Sequence, residues 1–227
     1  MKRNVTLEEI SDGRLYGEND MVKAGCGDCQ GCSACCRGMG DSIVLDPLDI
    51  CRLSEGLQEN FNLLLGEERI ELGVVDGLIL PHLKMKGEET AEGKCSFLNE
   101  EGRCSIHPYR PGICRLFPLG RYYENGDFQY FLQTKECARK DRTKVKVSKW
   151  IDAPGLKENH AYINAWHSFL LNCEEMLAEN TADESLGRTI STYLLQLFYI
   201  RPYTGMEQFY EEFALRLQRA QNDLGWE

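Results

Sequence analysis

The sequence predicts an α+β fold, in which a small cysteine-rich core of short hairpins and helices is followed by a C-terminal helical segment. Five of the eleven cysteines lie within residues 26–36, a density that ordinary core packing does not explain. The dipeptide Asn125-Gly126 separates two aromatic-rich runs, which is the strongest short signal for a β-hairpin. After residue 150, apolar residues recur at helical spacing.

The chain divides by composition into three segments. Residues 1–25 are polar and contain turn signals, so we expect an N-terminal leader. Residues 26–140 contain most of the cysteines and form the predicted cysteine-cluster domain. A basic linker at 139–149 precedes residues 150–227, which we expect to form a three-helix segment packed on that domain. A chain of 227 residues is long enough for one sizeable domain with such an appended bundle.

The cysteine-rich half contains short elements separated by turns. Before residue 90 the pattern predicts two strands and two helices. The strands are a buried strand at Ser42–Leu45 and an edge strand at Leu78–Leu83. The first helix is capped by Asp46, opened by Pro47 and ends at Gly56, and the second runs from Gln58 to about Ile70. Beyond it we expect a tight hairpin with Cys95 on one arm and Cys104 on the other, an irregular proline-rich loop at 107–118, and the Asn-Gly hairpin at 121–132.

Three amphipathic helices are predicted in the last third. Their apolar stripes run through Trp166 to Leu177, Leu186 to Leu197, and Phe209 to Leu217. We interpret these stripes as core-forming faces, and we expect the helices to offer a surface for a protein partner.

The cysteine spacing indicates metal chemistry. Two residues between cysteines let the chain fold back so that both sulfurs reach one ion, as in zinc and iron–sulfur sites. Eight thiols fit this pattern, enough for two tetrahedral sites or one binuclear cluster: Cys29, Cys32, Cys35, Cys36, Cys95, Cys104, Cys114 and Cys137. The adjacent side chains of Cys35 and Cys36 diverge, which favours two coupled ions. We expect Arg37, Arg103, Arg110 and Arg115 to offset the thiolate charge.

Net charge and hydropathy exclude several partners. The chain has 26 basic and 36 acidic residues, a formal charge of −10, which argues against binding to nucleic acid or to an anionic membrane. No apolar run is long enough to span a bilayer, and none follows Lys2-Arg3 as in a secretory signal. We therefore expect a cytoplasmic protein, whose thiols more often bind metal than form disulfides.

The cysteine motifs resemble a known family. Cys29-x-x-Cys32-x-x-Cys35-Cys36 is followed by Cys95-x-Phe-Leu, Arg103-Cys104-Ser-Ile, Tyr109-Arg-Pro and Ile113-Cys-Arg-Leu-Phe-Pro118. This set is similar to the YkgJ-type cysteine-cluster family, described as zinc- or iron-chelating. The resemblance covers residues 29–137 and implies metal chelation through eight cysteines. A weaker similarity to the cysteine cluster of flagellin lysine N-methylases implies an enzymatic alternative, although the C-terminal helices match no motif of either family.

Several alternatives remain open at this point. Cys26-x-x-Cys29-x-x-Cys32-x-x-x-Cys36 has the spacing of bacterial ferredoxins, apart from Arg37 in place of proline, so a [4Fe-4S] cluster competes with zinc. Thiolate ligands suit both metals. His107, three residues from Cys104, is a further possible ligand, whereas Cys51 and Cys173 are predicted to be buried apolar residues. The common signatures of nucleotide-dependent and hydrolytic enzymes are absent, which leaves catalysis undecided.

Overall fold

The computed structural model describes residues 6–27, 32–87, 93–183 and 185–226, and it confirms the predicted α+β class. Small antiparallel sheets combine with helices, and the C-terminal part is helical. The elements are α1 Leu7–Ile10, β1 Ser11–Tyr16, β2 Met21–Gly25, α2 Pro47–Leu57, α3 Phe61–Gly66, β3 Ile70–Val75, β4 Leu78–Leu83, β5 Met85–Lys86, β6 Lys94–Cys95, α4 Gly112–Leu116, β7 Leu119–Glu124, β8 Asp127–Gln133, β9 Thr143–Lys146, α5 Val147–Ile151, α6 Leu156–Glu179, α7 Leu186–Leu194 and α8 Phe209–Asp223.

The chain forms two compact units, and each combines separate stretches of sequence. Unit one comprises Met1–Gly40, Met85–His107 and Pro111–Ser168, whereas unit two comprises Asp41–Lys84, Pro108–Arg110 and Phe169–Glu227. By contrast, each of the three segments that we predicted from composition was one continuous stretch of the chain. All the predicted ligand cysteines that the structure describes belong to unit one, and Cys51 and Cys173 belong to unit two.

The largest sheet of unit one is three-stranded, with the order β1-β8-β7. Strands β7 and β8 form the predicted hairpin, with Leu119 opposite Leu132 and Glu124 opposite Asp127. Both turn residues, Asn125 and Gly126, have positive φ angles of 53° and 78°, as the tight turn requires. The Asn-Gly signal therefore located this hairpin correctly.

Two segments predicted to be a leader and a linker contribute strands to unit one. Within the expected leader, β1 pairs with β8 and β2 pairs with β9. Strand β9 lies within the expected basic linker, and helix α5 begins there. Val22 and Ala24 on β2 are buried, although few apolar residues surround them in the sequence. Their pairing partners lie more than 100 residues away in the chain, so local composition contained no signal for them.

Helix α2 of unit two begins as predicted but ends later. The Asp46 carboxylate accepts a hydrogen bond from the Asp49 amide at 2.9 Å, and the Asp49 carboxylate accepts one from the Asp46 amide at 3.2 Å. This reciprocal capping box fixes the first turn. Gly56 lies inside the helix, which ends at Leu57 before Gln58 in the left-handed conformation. A Cβ at Gly56 would meet the Tyr109 ring at 2.4 Å, so glycine at this position provides room for that ring.

The second predicted helix is shorter than the pattern indicated. Helix α3 begins after Asn60, whose side chain accepts a hydrogen bond from the Leu63 amide at 3.0 Å, and it ends at Gly66. Ile70 instead opens β3, which pairs with β4 along its full length. The predicted strand at Ser42–Leu45 contributes only a single bridge, between Val44 and His82, beside the confirmed strand β4.

The three predicted C-terminal helices are confirmed as α6, α7 and α8. Phe169, Phe198 and Phe209 are fully buried in unit two, and the Phe169 and Phe198 rings lie 5.7 Å apart. Helix α7 continues as a π-helix at Leu195–Ile200. In the described part of the chain, no helix combines the length and the apolar character needed to cross a membrane.

Arg216 stabilises the chain that follows the π-helix. This buried side chain donates hydrogen bonds to the carbonyls of Leu197, Arg201 and Pro202 at 3.0, 2.7 and 2.7 Å, and its guanidinium covers the Tyr203 ring at 3.7 Å. Carbonyls at the end of a helix otherwise lack partners, so the arginine satisfies them within the core.

Candidate metal centre

The N-terminal cysteines lie on a short turn. Cys35 and Cys36 belong to the 3₁₀ turn Ala34–Cys36, and both are half-buried, as is Cys32. Cys29 lies outside the described residues. Immediately after the turn, Arg37 forms a β-bridge with Lys94, and the Gly38 amide donates to the Gly93 carbonyl at 2.8 Å. This bridge brings the turn alongside β6, which ends at Cys95.

Cys104 closes a short bridged turn, and Cys95 lies just before it on β6, which pairs with β5. Leu98 bridges Cys104, the Asn99 amide donates to the Arg103 carbonyl at 2.9 Å, and the Ser105 amide donates to the Phe97 carbonyl at 2.9 Å. Of the predicted hairpin the structure thus forms a turn closed by the single bridge between Leu98 and Cys104, whereas Cys95 precedes that turn and pairs with Met85. We call residues 32–38 and 93–105 together the thiol region.

The electrostatic surroundings of Cys95 include two other thiols. The pKa of Cys95 is raised above its ordinary value, chiefly because the side chain is buried. The Phe97 amide, which donates to the Cys95 sulfur, acts in the opposite direction. The charges of Cys104 and Cys35 raise the pKa further. Thiols from both halves of the sequence pattern are thus within electrostatic reach of one another.

Cys114 and Cys137 lie on other elements of unit one. Cys114 is on α4, in the stretch predicted to be irregular because of its prolines. That prediction was wrong for this stretch, because a five-residue helix fits between Pro111 and Pro118 without containing either. Cys137 follows β8 in irregular chain. Both thiols are half-buried, and neither is among the charges that shift the pKa of Cys95.

The donor chemistry of the thiol region fits zinc or iron. Sulfur ligands suit both metals, and an amide donating to a sulfur is the kind of contact that orients a ligand. Across residues 6–27, 32–87, 93–183 and 185–226, however, no three His, Cys, Asp or Glu side chains are arranged to hold a metal ion. The structure thus brings Cys35, Cys95 and Cys104 into one neighbourhood, but the described residues do not form a coordination sphere.

Two of the four arginines predicted to offset thiolate charge make contacts with other groups. Arg37 Nε donates to the Ser33 hydroxyl at 3.3 Å, and Arg115 donates to the Asp152 carbonyl at 3.3 Å. Arg110 belongs to unit two. Their role in balancing charge stays a prediction.

The remaining cysteines differ in their surroundings. Cys51 and Cys173 are buried as predicted, and burial raises the pKa of each to about 12, so both remain neutral thiols. Cys26 is also buried, directly after β2. His107 is half-buried at the start of a 3₁₀ turn. The roles of Cys26 and His107 as metal ligands therefore stay hypotheses.

Sequence reasoning missed a polar cluster around His160. One ring nitrogen contacts Glu18 at 3.1 Å, the other contacts Asp127 at 2.6 Å, and the ring stacks on Phe128. Hydrogen bonds from the His160 ring, from the Asn164 amide and from the Phe128 backbone hold the pKa of Asp127 at about 2. The partners come from distant parts of the chain, so spacing along the sequence gave no sign of them.

Comparison with known proteins identifies the cysteine-rich segment. A family model described as "CxxCxxCC: putative zinc- or iron-chelating domain" matches residues 28–138. No curated protein and no solved structure gave a significant match. The matched range contains all eight predicted ligand cysteines and excludes Cys26 and the three C-terminal helices. Residues 28–138, slightly less than half of this chain, are therefore similar to the CxxCxxCC family.

Proposed function

We propose that this protein chelates zinc or iron through eight thiolates, those of Cys29, Cys32, Cys35, Cys36, Cys95, Cys104, Cys114 and Cys137. The family match supports a metal ion as partner. The observation that supports three of these ligands is the electrostatic coupling of Cys95 to both Cys104 and Cys35, and cysteine spacing supports the others. Shared metal binding explains why one domain keeps thiols from two separate motifs near one another.

The proposal includes two coupled ions. Eight thiolates exceed the four ligands of a single tetrahedral site, and the neighbours Cys35 and Cys36 project differently from the chain. Two divalent ions with eight thiolates would leave a formal charge of about −4, so guanidinium groups near the centre would stabilise it.

Elemental analysis of protein purified without oxygen tests this function. We expect about two ions per chain in the unaltered protein. Cys95→Ser and Cys104→Ser should each lose at least one ion, whereas Cys51→Ala should keep both, because Cys51 is a buried neutral thiol in unit two. Unaltered protein with less than one ion, or equal metal loss in Cys51→Ala, would contradict the proposal.

An iron–sulfur cluster is the second candidate, favoured by the ferredoxin-type spacing of Cys26, Cys29, Cys32 and Cys36. Cys26→Ser separates the two candidates, since Cys26 is a ligand only for that cluster. Visible absorption and acid-labile sulfide that disappear in Cys26→Ser would establish the cluster. Colourless protein that keeps its zinc in this variant would exclude it.

An iron–sulfur cluster would also raise the enzymatic alternative, either a protein lysine N-methylase-like activity or a redox activity. Binding of S-adenosylmethionine to the anaerobically purified protein would support the first form, and a reversible reduction of the cluster would support the second. In either case we propose a reducing, cytoplasmic location and a protein-binding surface on α6, α7 and α8.

A further inference from the structure

The β3–β4 sheet of unit two has one closed edge and one open edge. On the outer side of β4, the Ile79 amide donates to the Ser191 hydroxyl at 2.8 Å. The Leu83 amide donates to the Ile43 carbonyl at 3.0 Å. Pro81 lies between them and has no amide hydrogen. Each backbone donor on this side of β4 therefore has a partner within unit two.

The outer edge of β3 is open at Leu72 and Val74. The Lys84 amide donates to the Arg69 carbonyl at 3.1 Å, which fixes the direction in which successive backbone groups of β3 point. Odd-numbered residues of the strand bond to β4, and the amide and carbonyl groups of Leu72 and Val74 point away from it. Within the described part of the chain, no residue forms a hydrogen bond with these outward groups. They are available to an additional strand.

The same two residues expose apolar side chains. Val74 is 70% exposed and Leu72 is 44% exposed, and both side chains lie on one face of the strand. Natural edge strands are protected against pairing by lysine, proline or a bulge. Strand β3 contains no lysine or proline, and all six of its residues pair with β4 in one register. Open backbone groups beside exposed apolar side chains are the features that an added strand recognises.

Acidic side chains flank this edge. Glu67 and Glu68 are exposed just before β3, and Asp76 is exposed just after it. Glu71 within the strand is paired with Lys84, so it adds no uncompensated charge. If two copies of the chain paired antiparallel through β3, the start of each strand would face the end of the other, and carboxylates would approach carboxylates. Like charges placed opposite each other destabilise a strand pair, which disfavours a second copy as the occupant.

We infer that the outer edge of β3 binds an extended segment of a protein partner, in which apolar residues alternate with basic ones. Residues directly opposite Leu72 and Val74 lie on the same face as those side chains, so this face of the segment is apolar. Basic residues at the remaining positions complement Glu67, Glu68 and Asp76. No proposed metal ligand lies on β3, so this inference does not depend on metal binding.

NMR titration of the ¹⁵N-labelled full chain with the peptide acetyl-Lys-Val-Lys-Val-Lys-Val-Lys-amide tests this inference. Salt at about 0.15 M screens diffuse attraction to an acidic protein. We expect the largest shift changes and slower hydrogen exchange at the Leu72 and Val74 amides. N-methylation of the valines removes the donors that face β3 and should weaken binding by about tenfold or more, because backbone hydrogen bonds are lost. N-methylation of the internal lysines alters only the far side of the peptide and should leave the affinity unchanged.

Two variants of equal net charge locate the site. Val74→Lys replaces an apolar side chain on the edge with a cation and should weaken peptide binding by about tenfold or more. Leu215→Lys adds the same charge on α8, at a side chain that is 68% exposed, and should bind the peptide like the unaltered protein. No binding at millimolar peptide, equal weakening in both variants, or equal affinity of the valine-methylated peptide would each overturn the inference. Shifts at Leu72 and Val74 that depend on protein concentration without peptide would also overturn it, by assigning the edge to a second copy.

Discussion

The thiol region and the core of unit two differ in the length of their secondary-structure elements and in how much apolar surface they bury. The thiol region consists of a three-residue 3₁₀ turn, the two-residue strand β6 and a turn closed by a single bridge, and most of its cysteines are half-buried. Unit two has long helices and fully buried phenylalanines and leucines. Apolar burial stabilises the second region without help, whereas such short elements provide little burial of their own. If the thiols bind metal as proposed, ligand binding stabilises one region of this chain and apolar packing stabilises the other.

Metal removal should produce the largest difference between the two regions. If thiolates bind a structural metal, a chelator should remove much of the protection from hydrogen exchange at residues 93–105, and the loss can approach the roughly 10 kcal/mol that structural zinc contributes in small domains. Amides in α7 and α8 should exchange as before. An equal loss of protection at residues 93–105 and in α7 and α8 would show that metal does not stabilise the thiol region selectively.

Phe198→Ala should have the next largest effect, on the other region. Phe198 is fully buried between Phe169 and Phe213, so its truncation should cost about 3–5 kcal/mol of unfolding free energy. Metal content should not change. Leu215→Ala on α8 is the control, because Leu215 is 68% exposed and its loss should change stability by less than about 0.5 kcal/mol. Chemical denaturation followed by circular dichroism measures both.

Gly56→Ala should be destabilising although alanine favours helices. A Cβ at this site meets the Tyr109 ring at 2.4 Å, and such overpacking costs about 1–3 kcal/mol, more than the roughly 1 kcal/mol gained from helix propensity. Gly66→Ala on α3 has no atom within 4 Å of its added Cβ and should be neutral or stabilising. Thermal melting of both variants checks the sign, and a stabilised Gly56→Ala would contradict the packing described here.

The smallest predicted effect is the pH dependence of the stability that Asp127 gives to unit one. The pKa of Asp127 is lowered from 3.8 to about 2, so the stabilisation it provides is complete above pH about 4 and is lost as pH falls towards 2. Because its side chain is 65% exposed, we expect less than about 1 kcal/mol. Asp127→Asn should therefore be less stable than the unaltered protein at pH 6, and the difference should disappear near pH 2. If the stability difference between Asp127→Asn and the unaltered protein were the same near pH 2 as at pH 6, ionised Asp127 would not be its cause.

Local signals predicted several elements of the fold. Asn125-Gly126 located the β7–β8 hairpin, Asp46-Pro47 located the start of α2, and apolar spacing located α6, α7 and α8. Each of these depends on residues within a few positions of one another. The pairing of β1 with β8 and of β2 with β9 depends on partners far away in sequence, and no pattern within either strand indicates its partner.

The candidate site was predictable in part for the same reason. Cysteine spacing indicated which thiols to consider, and the bridge between Leu98 and Cys104 brings Cys104 near Cys95. That Cys35 approaches Cys95 depends on the bridge between Arg37 and Lys94, a tertiary contact.

The alternation of the chain between its units has a consequence for protein synthesis. The chain passes from one unit to the other after Gly40, Lys84, His107, Arg110 and Ser168. Neither unit can therefore be excised as one continuous piece. A ribosome delivers every proposed metal ligand, the last being Cys137, before it adds Phe169, with which the final stretch of unit two begins. The order of translation lets the thiols meet a metal ion while the helical core is still incomplete.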